Sequence, residues 1–155
     1  MKKWNIIALR DTTEWNERAI QWFHEKWKVP KEAYRESIED CQVGNAAVPQ
    51  WYIAVEEDRI IGGLGVIEND FHKRKDLAPN ICAVYVEQEH RMQGLSRYLM
   101  ETACADLAAA GIEDVYLITG HTNYYEHCGW TFYGIIEEDD GSPIRMYQRK
   151  TRKNG

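Results

Sequence analysis

The sequence predicts an α/β protein: a mixed sheet of six to seven strands, flanked by about four helices, with one parallel βαβ unit. Three observations lead there. ICAVYV (Ile81 to Val86) and VYLIT (Val115 to Thr119) are nearly continuous apolar runs, as expected of strands covered on both faces. Between them an amphipathic helix puts Leu95, Tyr98, Leu99, Thr102, Ala103, Leu107 and Ala110 on one face and ends at Gly111. A strand, helix and strand of these lengths form a right-handed parallel crossover. Upstream, Trp51 to Glu56 alternates, Glu57 and Asp58 turn, and Arg59 to Ile67 returns, which is a hairpin.

In chain order, IIALR (Ile6 to Arg10) reads as the first strand. Asp11 with Glu14 has the spacing of a capping box. Trp15, Ala19, Trp22, Phe23 and Trp27 then make a helical stripe that Pro30 ends. Pro30 can itself open a second helix, PKEAYRESIEDC, because its missing N–H is not needed in the first turn. The aromatic stripe reads first as core, although Trp27 and Tyr34 lie near a helix–helix joint where acceptor pockets form. In the hairpin, Gly62, Gly63 and Gly65 indicate a bulge or close backbone approach rather than a phosphate loop, since no helix follows them. A short helix about Asn123 to Cys128 and late strands in TFYGIIEE and IRMYQR complete the sheet.

The chain of 155 residues shows no repeat, low-complexity tract or linker, so 1–155 is expected to be a single domain. The net charge of −6 argues against nucleic acid as a partner. Only the end RKTRKNG (149–155) is basic, and a short charged terminus is expected to be solvated and mobile. No apolar run is long enough for a membrane span, and the one in MKKWNIIALRD is too short for a signal peptide. Cytoplasm is the expected compartment. Cys41, Cys82, Cys104 and Cys128 form no CxxC, and the five histidines form no HExxH, so no metal is expected.

The long helix poses the functional question. It begins at Gly94 with no Ser, Thr, Asp or Asn to cap its free N–H groups. Those groups lie at the positive end of the helix, Arg91 adds a charge, and Ser96 adds a hydroxyl. The pattern is an anion site, but not a Walker loop, because GxxxxGK[ST] is absent. A helix that merely starts at glycine is the alternative.

VYVEQEHRMQGLSRYLM resembles the acetyl-CoA motif of the GCN5-related N-acetyltransferases, a strand followed by [QR]-x-x-G-x-[GA] at a helix start; Arg91, Gln93, Gly94 and Ser96 map onto it. YYEHCGW is similar to the family's Tyr-Glu-x-x-Gly-Phe segment, with Tyr125 on the tyrosine and Trp130 on the aromatic. The resemblance covers about Ile60 to Glu137. It departs from the pattern at Ser96, where Gly or Ala is usual, and in the short loop TGHTN, which leaves a contact of Asn123 with the cofactor open.

The resemblance implies a GNAT-like fold and acetyl transfer from acetyl-CoA to a primary amine of a small molecule, within a ternary complex. Pantetheine would lie along Val84, Tyr85 and Val86, with one strand N–H polarising the thioester carbonyl. The pyrophosphate would rest on Arg91, Met92, Gln93, Gly94, Leu95 and Ser96. Tyr125 is the candidate to protonate the leaving thiolate, with Tyr124 as rival. Glu68 and Asp70, in VIENDFH at a strand end, are the candidate bases for the incoming amine, with His72 third; a solvated acidic loop is the alternative. The acidic balance favours a cationic amine. A protein N-terminal or lysine acetyltransferase, a non-catalytic acyl-CoA sensor and an unrelated nucleotide-binding module remain alternatives, and a homodimer is compatible with the resemblance.

Overall fold

The computed structural model describes residues 4–152. Strand β1 (Asn5–Ala8) runs into a 3-10 turn, Leu9–Asp11, and helix α1 (Asn16–Trp27) follows. The capping box expected at Asp11 is not formed. Asp11 belongs to the 3-10 turn that buries Leu9, and the Thr12 hydroxyl instead accepts the Glu14 N–H at 3.2 Å. Helix α2 (Lys31–Val43) follows Pro30, and the hairpin of β2 (Gln50–Glu56) and β3 (Arg59–Ile67) turns at Glu57 and Asp58 as expected. Next come β4 (Asn80–Val86), α3 (Leu95–Ala109), β5 (Asp114–Thr119), the short α4 (Tyr124–His127), β6 (Thr131–Glu137) and β7 (Pro143–Lys150).

The seven strands form one sheet in the order β1-β2-β3-β4-β5-β7-β6. Every pairing is antiparallel except β4 with β5, the two ends of the crossover through α3. One face carries α3, whose Leu95, Leu99, Ala103 and Leu107 pack on Tyr52, Leu64, Ile81 and Val115. The other carries α1 and α2, whose Trp22, Phe23, Tyr34 and Ile38 pack on Trp51, Ile53 and Val55. Both faces of the central strands are therefore covered, which is why their sequences read as continuous apolar runs.

The β3 glycines are explained by close approach. A Cβ at Gly65 would lie 2.5–2.6 Å from the Trp51 ring, and one at Gly63 would lie 2.9 Å from both Phe23 and the Tyr52 carbonyl oxygen. Gly65→Ala is expected to destabilise the fold by about 1–3 kcal/mol, read as a lower denaturation midpoint at unchanged m.

The basic end begins as structure, not as a free tail. Arg149 and Lys150 close β7, Arg149 pairs with Glu101 at 2.8 Å, and Thr151 is buried with its hydroxyl on the Ile112 carbonyl at 2.6 Å. Residues 153–155 lie outside the described residues. All four cysteines are buried and free. Among the described residues no helix is long and apolar enough to cross a membrane, and no cluster of His, Cys, Asp and Glu is placed to hold a metal.

Candidate active site

The site starts where the sheet opens. Strands β4 and β5 are paired only at Asn80 and Tyr116, reinforced by the Tyr116 N–H on the Pro79 carbonyl at 3.0 Å. Asn80 is fully buried there, and its amide donates to the carbonyls of Glu68 (2.9 Å) and Leu77 (3.0 Å). Its carbonyl therefore has to accept, and it faces His72 Nε2 at 2.9 Å. His72 Nδ1 in turn accepts the Arg74 N–H at 3.2 Å. The His72 ring is thus committed on both nitrogens to holding the point where the strands part, and its place is structural. Past Asn80, β4 bulges: its register against β3 slips between Gly63 and Gly65, and Ala83 takes φ 55°. A bulge of this kind re-aims a strand and ends its pairing.

The strand end leads to the uncapped helix. Glu87 N–H bonds the Ile61 carbonyl at 2.8 Å, and a 3-10 turn at Gln88–His90 passes the chain to Arg91. Arg91 Nε donates to the Val86 carbonyl at 2.9 Å, and its guanidinium lies 5.1 Å from the Tyr85 ring centroid. Arg91, Met92, Gln93 and Gly94 are all exposed, whereas the Leu95 side chain is buried in the core, so Leu95 has only its backbone to offer a ligand. Gly94 sits at φ 87°, no side chain caps α3, and a Cβ added at Gly94 would meet nothing within 4 Å. The positive end of a 15-residue helix thus opens onto free space beside a fixed arginine, an arrangement whose charge and free N–H groups are complementary to an anion. Ser96 and Tyr124 join their hydroxyls in a short hydrogen bond that ties α4 to the start of α3.

Between the parted strands and the α1–α2 joint lies a cavity of about 470 Å³. Val84, Asp70 and Tyr125 line it, as do Trp27 and Tyr34, the two aromatics the helix joint singled out. Burial, with a smaller effect from the nearby Glu138, pushes the Asp70 carboxyl up to about 6. Burial, then the neighbouring Tyr124 and Cys128, pushes the Tyr125 phenol up to about 12. Cys82 in the wall is held as a neutral thiol, raised by burial and by Asp70. The two carboxylates grouped in the sequence are separated here, for Glu68 is exposed and lies outside the cavity wall. Tyr85 packs instead against Trp22 and Trp27 on the α1 side. Asn123 is exposed, and its carbonyl serves the first turn of α4.

Sequence reasoning missed Phe71, Trp51 and the stretch from Leu117 to His121, all in the cavity wall. The last of these had a usable signal, because ligands of open α/β sheets bind at the carboxyl ends of parallel strands. Phe71 had none.

The sheet thus opens at its parallel pair, with the uncapped start of α3 on one side and a cavity on the other. Residues 9–130 match the model of the acetyltransferase (GNAT) family, and the chain belongs to that family. No curated protein sequence matches it. Among solved structures it is similar to an aminoglycoside 6'-N-acetyltransferase complexed with coenzyme A (TM-score 0.72, 15% identity, 97% of this chain and 99% of that one). A spermidine N-acetyltransferase from Vibrio cholerae matches with TM-score 0.67 and 15% identity over 96% of this chain and 94% of that one. So does yncA from Salmonella typhimurium, solved with its cofactor acetyl-CoA (0.66, 13%, 99% and 97%). At these identities the likeness is one of fold.

Proposed function

We propose that this protein transfers an acetyl group from acetyl-CoA to the primary amine of a small molecule, directly, within a ternary complex. The observation that carries the reading is the single β4–β5 pair at Asn80 and Tyr116, which leaves β4 from the bulge onward facing a cavity that holds both Asp70 and Tyr125. The residues present fit acetyl-CoA. Open space beside Gly94 and the uncapped α3 start suit its pyrophosphate, with Arg91, Gln93 and Ser96 beside it and Met92 and Leu95 contributing backbone. The backbone of Val84, Tyr85 and Val86 suits its pantetheine arm. Fold neighbours solved with coenzyme A and with acetyl-CoA support the same choice.

When bound, acetyl-CoA supplies the activated thioester. Asp70 binds the incoming ammonium and takes its proton, leaving a neutral amine. A carboxyl held near 6 is ionised at neutral pH yet more basic than an ordinary aspartate. The Tyr125 hydroxyl delivers a proton to the departing sulfur. Raised to about 12, it stays neutral and keeps that proton until charge develops.

Acetyl-CoA at about 100 times its Kd should stabilise the fold by about 2.7 kcal/mol, roughly 5–10 °C in Tm. Gly94→Val should abolish that shift, because it places a branched side chain in the cradle. It should also cost the apo protein about 1 kcal/mol, through positive φ. Thiol release with acetyl-CoA and a panel of amines tests the transfer itself. Absence of any shift with acetyl-CoA sinks the reading, and a normal shift in Gly94→Val moves the cradle elsewhere.

A further inference from the structure

We infer that the acceptor is an amine with one positive charge on an apolar body of arylalkyl size, and that polycationic amines are poor acceptors. This rests on the reading of the cavity as an amine acetyltransferase site. Its first support is the charge on the wall. Asp70 is the one carboxylate among the lining residues, and no lysine or arginine lines the cavity. Glu138 is near enough to raise the Asp70 carboxyl but is not part of the wall, and Glu68 is exposed outside it. One ammonium therefore finds a partner on entering. A second, carried on the same chain, would be desolvated without one, and an unpaired buried charge is strongly disfavoured.

The apolar part of the wall points the same way. Trp27, Tyr34, Trp51 and Phe71 bring four rings to the cavity, and Val29 and Ile67 also line it. The polar group beside Trp51 is already engaged, since the indole N–H donates to the Ser37 hydroxyl at 2.8 Å. The wall also carries the polar side chains of Thr119 and His121, the Thr119 hydroxyl accepting the His121 N–H at 3.1 Å, but it holds no second carboxylate to pair the further ammonium groups of an aminoglycoside or a polyamine. An aromatic or branched aliphatic body would find rings on several sides, with its ammonium held by Asp70 and by the negative faces of those rings.

The mouth adds a third observation. Trp27 and Phe71 remain 45% and 60% exposed although both are large and apolar. Phe71 also sits at φ 61°, an unfavourable conformation for a bulky residue. It is kept there by the Asp139 N–H on its carbonyl at 2.9 Å and by the bridge between His72 and Glu138. The loop thus holds a strained aromatic next to the single carboxylate, where an apolar substrate body would cover it.

The test compares 2-phenylethylamine and tryptamine with spermidine and kanamycin as acceptors, with acetyl-CoA saturating and free thiol as readout. The aromatic monoamines should show kcat/KM at least roughly tenfold above the polycations. Phe71→Ala should raise KM for phenylethylamine by about tenfold while leaving the acetyl-CoA thermal shift unchanged. Amine binding to the CoA-loaded protein, followed by tryptophan fluorescence, gives a readout independent of turnover. Tighter binding of phenylethylamine than of spermidine supports the inference even where transfer is slow. Spermidine or kanamycin as the better acceptor overturns it while leaving the acetyltransferase reading intact. An unchanged KM in Phe71→Ala, or binding of neither amine class, overturns it as well.

Discussion

Asp70→Asn is expected to lower kcat/KM for the amine by about 10²–10³ and, at neutral pH, to raise the stability of the fold. The first effect follows from the two tasks proposed for the carboxylate, holding an ammonium and taking its proton. General-base catalysis alone is worth about 10²–10⁴. Asn keeps the shape and loses both. The acetyl-CoA thermal shift should survive, because Asp70 lines the cavity and is not part of the α3 start at Gly94 proposed to hold the pyrophosphate.

The pH profile checks the same assignment. In the wild type, kcat/KM should rise with pH through about 6, as the Asp70 carboxyl of the free enzyme ionises, and then level off. In Asp70→Asn that limb should vanish. Stability runs the other way. A carboxyl held near 6 in the folded state, against about 3.9 unfolded, binds its proton more tightly when folded. Its ionised form therefore destabilises the fold above pH about 6, and the effect fades as pH falls towards about 4. Partial solvent access at the cavity reduces the penalty to about 1–2 kcal/mol. Asp70→Asn should gain roughly 2–6 °C in Tm at pH 7–8 and nothing below about pH 4. An unchanged kcat/KM, or a loss of Tm at neutral pH, would show that Asp70 is a wall residue only.

The fold could be read from periodicity because its central strands are covered on both faces, and ICAVYV and VYLIT say so directly. The uncapped start of α3 could be read because an absent cap is a local fact: a glycine at the helix start, with no capping side chain, is visible in the chain itself. The cavity wall could be read only in part. Trp27 and Tyr34 announced themselves by their place at a helix joint, but Phe71 and Trp51 join them only through the packing of the α2 face and the loop after β3. The pairing of Glu68 with Asp70 failed for the same reason. Two carboxylates two residues apart look equivalent in sequence, but the loop after β3 sends one to solvent and one to the cavity. The opening of Asp11 to Glu14 misled because a capping box is a spacing, and the buried Leu9 sets the backbone there first.

Tyr125→Phe should lower kcat by at least roughly tenfold while leaving acetyl-CoA affinity nearly unchanged. The change removes one hydroxyl and little packing, since the ring stays between Trp130 and Tyr147 with centroids 6.3 and 5.7 Å away. Among the described residues nothing hydrogen-bonds to that hydroxyl, so its proton is not already committed. A phenol near 12 is a weaker acid than a thiol near 8.5, so handing its proton over is unfavourable by itself. Once its bond to the acetyl carbon forms, the amine nitrogen is cationic and a much stronger acid than the phenol; passing its remaining extra proton to the tyrosinate restores the Tyr125 hydroxyl and makes the exchange favourable overall. The neighbouring tyrosine provides the control. Tyr124 lies outside the cavity wall and bonds Ser96 at the start of α3, so Tyr124→Phe should loosen the cradle and act on acetyl-CoA affinity, with kcat nearly unchanged. The two variants therefore separate along different kinetic constants. If Tyr124→Phe is the one that cripples kcat, the proton donor is misplaced by one residue. If neither does, water or the amine itself protonates the sulfur, and Tyr125 serves only to pack α4 against the sheet.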